Sequence, residues 1–354
     1  MPLIKIKQQE SLAYENVSRS QETPADRPHI DTIIVNYSAG ELVVDSLASL
    51  LKSYEDEARG RIYIVDNASP NGDAVVLRKY IEREGLSDRI ELVAEKTNLG
   101  FAKGNNVALR QIFASNSPPQ YVFLLNPDAY VKKGALARLA TFLEETPSAA
   151  IAGARLEGPE GDPQISAFNF ISPATEAIAA AGLTPLWRFF PGTRVAPPQR
   201  DKTYRADWVC GAAVMIRRTV FEQIGLFDAA YFLYYEETDF MLAAKRAALE
   251  TWYVHDAHAV HLVGQSSNVK TGRTAENATP SYVFDSRAYY FKKNFGGAGL
   301  AAAEIGFVLG SLFYAATRGL TGRSQRSALL DIRHFLAARR ARLARRRSSG
   351  AMPR

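Results

Sequence analysis

Cysteine is almost absent: the 354-residue chain carries one, Cys210. A lone thiol excludes a disulfide scaffold and any cysteine-based zinc site, and it suits a reducing compartment. Two phosphate-binding signatures are missing as well. No G-x-G-x-x-G follows the first apolar run, and no G-x-x-x-x-G-K-[ST] occurs anywhere. These absences argue against a nicotinamide dehydrogenase and a P-loop NTPase, so any bound nucleotide needs another way to hold its phosphates, such as a metal ion. The N-terminal stretch lacks an apolar run of signal length, and residues 1–29 read as a flexible arm. Whole-chain disorder is excluded too, since 47% of residues are hydrophobic and the net charge is only +6. That charge is unevenly placed. Residues 318–354 hold eleven Arg, no Lys and one acid, Asp331, for +10, which leaves the rest of the chain at −4. A slightly acidic body carries a basic tail.

What is present is alternation. Thr32-Ile33-Ile34-Val35, Ile62-Tyr63-Ile64-Val65, residues 90–93 and Tyr121-Val122-Phe123-Leu124-Leu125 are short, β-rich apolar runs. Between them, residues 41–53, 74–83 and a stretch before Tyr121 carry apolar positions at helical spacing. The pattern predicts parallel βαβ units in a doubly wound α/β sheet. A polar cluster follows each of three runs: Asn36-Tyr37, Asp66-Asn67 and Asn126-Pro127-Asp128. Ligands of open α/β sheets bind outside the carboxyl ends of strands, so these clusters are expected to converge on one crevice.

Beyond residue 151 the alternation fades. Residues 157–205 are rich in Gly and Pro with scattered aromatics, as in an acceptor-side insertion or mobile loop. Residues 208–216 read as one strand, residues 240–248 as a helix opened by Tyr231-Phe232-Leu233-Tyr234-Tyr235-Glu236-Glu237-Thr238-Asp239, and residues 252–254 as a last strand leading to His255, His258 and His261.

Several stretches, in this order, resemble glycosyltransferase family 2, inverting enzymes of the GT-A fold, and within it the bacterial rhamnosyltransferase-like branch. They are Ile34-Val35-Asn36-Tyr37, Val65-Asp66-Asn67-Ala68-Ser69, Asn98-Leu99-Gly100-Phe101 with Gly104-Asn105-Asn106, and Leu125-Asn126-Pro127-Asp128. Gly211-Ala212 with Arg217-Arg218, Glu236-Glu237-Thr238-Asp239, and His261 with Gly264 and Ser266 complete the series over residues 32–266. The resemblance implies sugar transfer from a nucleoside diphosphate, dTDP- or UDP-linked, to a glycan or polyprenyl-diphosphate-linked acceptor. Other donors (galactofuranose, glucose, N-acetylglucosamine, fucose) and a non-catalytic binding protein are the alternatives.

The departing diphosphate gathers negative charge, which a hard cation with oxygen ligands stabilises. Asp128, at a strand end, is the natural ligand for Mg2+ or Mn2+, or else an ordinary turn residue. The resemblance gives it the metal role of the family's D-x-D element, although Asn126 replaces the first Asp. It also aligns His261 with the family's late histidine, as metal ligand or packed residue. Asp66 and Asn67 would meet base or ribose and Tyr37 would stack on the base, with helix capping and core packing as the plain readings of Asp66 and Tyr37. Asn98, Gly100, Asn105 and Asn106 offer neutral donors and close backbone approach to sugar or diphosphate, or form a turn. The family's base aligns with Glu237. Glu236 and Asp239 are the alternatives for that base and are otherwise placed on the acceptor side, while the plain reading of the whole acidic run is a favourable charge at a helix N-terminus. Trp208 suits either an acceptor-sugar platform or the core.

Residues 295–317 are long enough to span a bilayer, but Glu304 and many Gly and Ala weaken that reading. Residues 327–347 set Leu and Phe among many Arg. The expectation is peripheral attachment to anionic lipids of the inner leaflet, on the cytoplasmic side, with no nucleic-acid partner. The expected organisation is arm 1–29, catalytic domain 30–292, apolar or amphipathic helices 293–347 and a disordered end 348–354.

Overall fold

The computed structural model describes residues 26–262, 280–320 and 326–348. Gly264 and Ser266, residues 1–25 of the expected arm and residues 349–354 lie outside the described residues. The β-branched runs form strands as expected. β1 (Ile30–Asn36), β2 (Ile62–Asp66), β3 (Ile90–Ala94) and β4 (Tyr121–Leu125) alternate with α1 (Gly40–Asp56), α2 (Asp73–Arg83) and α3 (Phe101–Phe113). β1 is buried along its whole length, which is why it reads as a near-continuous apolar run. Ile30 and Ile34 enter one core with Val43, Leu47 and Leu50 of α1, while Ile33 and Val35 enter a second with Leu109 and Ile112 of α3.

Next come β5 (Ala129–Val131), α4 (Ala135–Glu145), β6 (Ala149–Glu157), β7 (Ala167–Phe168) and α5 (Pro173–Ala180). They are followed by β8 (Tyr204–Ala206), β9 (Trp208–Val209), β10 (Ala213–Arg217), α6 (Arg218–Ile224), α7 (Glu236–Arg246) and β11 (Glu250–His261). The main sheet runs β3-β2-β1-β4-β10-β6-β11-β5, with β8 paired to β11. The β3-β2-β1-β4 part is parallel, β10 is antiparallel to both its neighbours, and β6 and β11 are parallel. The sheet is therefore mixed but mostly parallel. β1 lies between β2 and β4, so the connections diverge at that point and open a crevice at the strand ends.

Three local expectations are corrected. Residues 208–216 are two strands rather than one: β9 pairs with β7 in a separate two-stranded sheet, and the chain crosses to the main sheet at Cys210-Gly211-Ala212. The helix expected from Phe240 begins at Glu236, so the acidic residues occupy its first turn. The last strand runs twelve residues and contains His255, His258 and His261, with a bulge between Val254 and His258. Within the expected loop, Ser172 and Thr175 form a capping box that starts α5.

α8 (Ser281–Leu320) is broken at Gly296, and α9 (Arg326–Ser348) packs Phe335 and Ala338 onto Phe284, Phe307 and Val308. The first half of α8 belongs to the second core through Tyr290 and Phe291. Arg287, itself buried, ties the layers together. It donates to Glu176 of α5 (2.7 Å) and to the Ala303 carbonyl, and lies over the rings of Phe291, Phe307 and Phe335.

Gly100 precedes α3 with φ +80° and ψ 176°, and an added Cβ would stand 2.1 Å from the Phe232 carbonyl oxygen. Only glycine fits there. Gly100→Ala is expected to lower the unfolding free energy by about 3 kcal/mol, read as a shift of the urea midpoint with unchanged slope.

Candidate active site

Three strand ends supply the crevice. At the end of β1, the fully buried Asn36 directs its amide into two carboxylates, Asp66 Oδ1 at 2.8 Å and Asp73 Oδ2 at 2.9 Å. Ser69 Oγ donates to Asp66 at 2.6 Å, and the Gly40 N–H donates to Asp73 at 2.8 Å. Asp66 is therefore buried, oriented and held within a polar network rather than spent on a helix cap. Tyr37, the next residue after Asn36, is 41% exposed, so it is not a core tyrosine.

Asn67 and Asn98 interlock. Asn67 donates to Asn98 Oδ1 (3.0 Å) and to the Gly100 carbonyl (3.1 Å), and accepts from the Leu99 N–H (2.8 Å). Asn98 also accepts from the Gly100 N–H. The pair fixes the loop before α3. Asn105 is buried and donates back to the Phe101 carbonyl, while Asn106 brackets the backbone of Phe227. The structure thus gives Asn106 to a tertiary contact instead of an open crevice.

The third strand end carries Asn126 and Asp128. Asp128 is 0% exposed, and His261 Nε2 on β11 lies 3.5 Å from its Oδ1. Asn126 Nδ2 lies 3.4 Å from the same ring nitrogen. Neighbouring vertices of a small hard cation's octahedron are about 3 Å apart, close to the Asp128–His261 spacing. Among the described residues no group of three His, Cys, Asp or Glu is gathered. The set Asp128, His261 and Asn126 therefore fits an ion completed by substrate oxygens and water, as magnesium accepts, and not an all-protein cage.

Glu237 approaches from α7. Its Oε1 accepts the Gly211 N–H at 2.8 Å. Loss of solvation lifts Glu237 above the ordinary carboxylate range, opposed by that N–H and by charge on His261. Glu236 is lifted as well, by burial and then by the charge of Glu237. Cys210, between β9 and β10, is pushed up to about 12 by desolvation, with Glu237 and Asp128 both contributing. Its thiol stays protonated and inert. The Gly211 N–H holds Glu237, and the carbonyl of the next residue, Ala212, accepts the Asn126 N–H (3.0 Å), so Glu237 is tied to the strand end that carries Asn126 and Asp128. Asp239 is turned elsewhere: it accepts from Lys293 Nζ (2.6 Å) and Asn294 Nδ2 (2.7 Å) on α8. Trp208 stacks on Phe168 (centroids 4.2 Å apart, 15° between planes) and donates to the Asn169 carbonyl.

Sequence reasoning missed the Asn36–Asp73 contact, the Lys293–Asn294 clasp and the backbone. Tyr234 and Tyr235 have φ of +69° and +72°, and Ser38 and Ala68 are also left-handed. Four of the five described non-glycine residues with positive φ therefore adjoin candidate site residues (Tyr37, Asn67 and the Glu236–Glu237 pair) in the chain, and strain is commonly concentrated at such places. No composition or spacing signal marks such positions.

The family model described as glycosyl transferase family 2 matches residues 31–225. The chain belongs to glycosyl transferase family 2. It is 27% identical over 250 residues (70% of this chain, 71% of the relative) to the low-salt glycan biosynthesis hexosyltransferase Agl10 of Haloferax volcanii. It is 26% identical over 245 residues (66% and 75%) to the N-acetylglucosaminyl-diphospho-decaprenol L-rhamnosyltransferase of Mycobacterium tuberculosis. Among solved structures it resembles the mannosyltransferase PcManGT of Pyrobaculum calidifontis, solved with GDP-Man and Mn2+. The TM-score is 0.50 at 17% identity, covering 90% of this chain and 88% of that one. The fold is GT-A, and the chain is a glycosyltransferase. The family match ends before Glu236 and Glu237 on α7 and His261 on β11.

Asn36→Leu leaves two buried carboxylates without their shared donor. Stability is expected to fall by about 2–3 kcal/mol, measured by chemical denaturation, and the loss should shrink when Asp73→Asn is added.

Proposed function

We propose that this family 2 enzyme is inverting and metal-dependent, transferring a sugar such as rhamnose from a dTDP- or UDP-linked donor to a lipid-linked glycan at the cytoplasmic face of a membrane. The observation that carries the reading is the tie of Glu237, through Gly211 and the Ala212–Asn126 hydrogen bond, to the strand end where Asp128 stands beside His261. The relatives' names support the sugar and the polyprenyl-diphosphate acceptor. The basic, apolar C-terminal helices support attachment to anionic lipid.

In this mechanism Tyr37 stacks on the base, and Asp66, held by Asn36 and Ser69, accepts hydrogen bonds from base or ribose. Asn67, Asn98 and Gly100 shape the neighbouring wall. Asp128 and His261, with Asn126 beside them, would hold Mg2+ or Mn2+, which offsets the charge gathering on the departing diphosphate. Glu237 takes the proton of the acceptor hydroxyl as that oxygen bonds to the anomeric carbon. The bond from that carbon to the diphosphate oxygen breaks on the opposite face, so the configuration inverts. The Gly211 N–H fixes the Glu237 carboxylate, and the raised affinity for a proton makes it a better base than an ordinary glutamate. Trp208, stacked on Phe168, offers its other face to the acceptor sugar, and Glu236 is assigned to the same acceptor side. Asp239 acts at one remove by clasping α7 to α8.

Release of nucleoside diphosphate from a panel of dTDP- and UDP-sugars, with and without Mg2+ or Mn2+, tests the reading. Glu237→Gln is expected to lower kcat by about 10²–10⁴ with the donor KM little changed, and Asp128→Ala to abolish metal-stimulated turnover with the fold intact. Turnover that survives both substitutions would refute the assignment.

The pH profile has a defined sign. Glu237 must be ionised to accept a proton, and its folded value is raised. Activity is therefore expected to fall on the acid side with a midpoint above the ordinary glutamate value of about 4.3. Rates between pH 4 and 9 at saturating donor check this.

A further inference from the structure

Three carboxylates around the C-terminal helices are paired with arginines. Glu304 meets Arg339 and Arg342 of α9, Asp285 meets Arg345, and Glu176 meets Arg287. The outward side of α8 beyond Gly296 is apolar instead: Ile305, Leu309, Leu312, Phe313 and Leu320 are all exposed, Leu320 by 89%. These positions recur at helical spacing on one face.

α5 runs alongside this half of α8 in the same direction. A Cβ on Gly306 would meet Ala177, one on Gly310 would stand 2.7 Å from the Ala177 carbonyl, and one on Gly182 would overlap the Tyr314 ring. α5 thus ends level with Gly310, and Gly182 just beyond it meets Tyr314, so the chain leaves the helix heading toward the Arg318–Leu320 end of α8. It then makes two short 3-10 turns in which Leu183, Leu186, Phe189 and Phe190 are exposed, the two phenylalanines by 78% and 62%. Adjacent exposed aromatics on a loop tip are unusual for a surface facing water. No acid occurs between Glu176 and Asp201, whereas Arg188, Arg194 and Arg200 do. An exposed apolar loop whose flanking sequence carries cations and no acid complements an anionic lipid surface.

The root of this loop reaches the active site. Asn169 of the β7 side donates through its N–H to the Val195 carbonyl (2.8 Å) and through its amide to the Arg194 carbonyl (2.7 Å). Trp208 Nε1 donates to the Asn169 carbonyl, and two residues beyond β9 the Gly211 N–H meets Glu237. The loop that carries Phe189 and Phe190 is therefore rooted on the strand pair that leads to the candidate base.

We propose that residues 183–190 form a finger that inserts into an anionic lipid surface beside the end of α8 and seats the acceptor side of the cleft against the bilayer. A lipid-linked acceptor then meets Glu237 without leaving the membrane, a consequence that rests on the proposed function.

The test uses the full chain and vesicles of phosphatidylcholine with or without phosphatidylglycerol. Wild type is expected to float with anionic vesicles and more weakly with neutral ones. Phe189→Ser with Phe190→Ser should reduce flotation about tenfold or more at unchanged melting temperature. A Phe189→Trp chain should show blue-shifted difference emission when vesicles are added. The serine variant should keep wild-type turnover on a water-soluble, short-chain acceptor and lose turnover on a vesicle-borne polyprenyl acceptor. Equal flotation of wild type and variant, no flotation at all, an unshifted emission spectrum from the Phe189→Trp chain, or self-association of the free chain that the serine variant abolishes would each overturn the finger. Absent transfer to either acceptor in wild type would instead sink the proposed function, while flotation still decides the finger.

Discussion

Buried carboxylates are costly unless each meets a donor, and the crevice of this protein is built around meeting that demand. Asp66, Asp73, Asp128, Glu236 and Asp239 are all nearly inaccessible. The Asn36 amide serves two of them, Lys293 and Asn294 serve a third, and His261 stands beside Asp128. Glu237 has the Gly211 N–H and otherwise a poorly solvated setting, and Glu236 has a buried oxygen with no hydrogen-bond partner among the described residues, so these two are the carboxylates whose proton affinity rises. Donor supply separates the fixed acids from this raised pair.

The strand-helix alternation was legible because β1, β2 and β4 are buried on both faces and so write themselves as unbroken apolar runs. The polar residues after them stood out for the same reason. The second half of the sheet was harder to read. β10 is antiparallel, β5, β7, β8 and β9 are only two or three residues long, and such strands leave almost no periodic trace. Glu236 and Glu237 were visible as an acidic run, but the start of α7 was not, because two left-handed tyrosines place it where propensity gives no cue. Contacts across large separations, such as Asn36 to Asp73 and Asp239 to Lys293, have no local signature at all.

Glu304 illustrates how tertiary context changes the meaning of a charge. In the sequence it interrupts an apolar stretch and lowers its drive to span a bilayer. In the fold it is the partner of Arg339 and Arg342, so it joins α8 to α9 and leaves the opposite side of α8 uniformly apolar. Part of the arginine-rich tail is consumed in this way by the protein itself.

The clasp between Asp239 and the Lys293–Asn294 pair has a mechanical corollary. Those two residues sit one turn before the break at Gly296, while Asp239 lies in the same helical turn as Glu237. A displacement of the far half of α8 is thus felt, through one short lever, in the helical turn that carries Glu237.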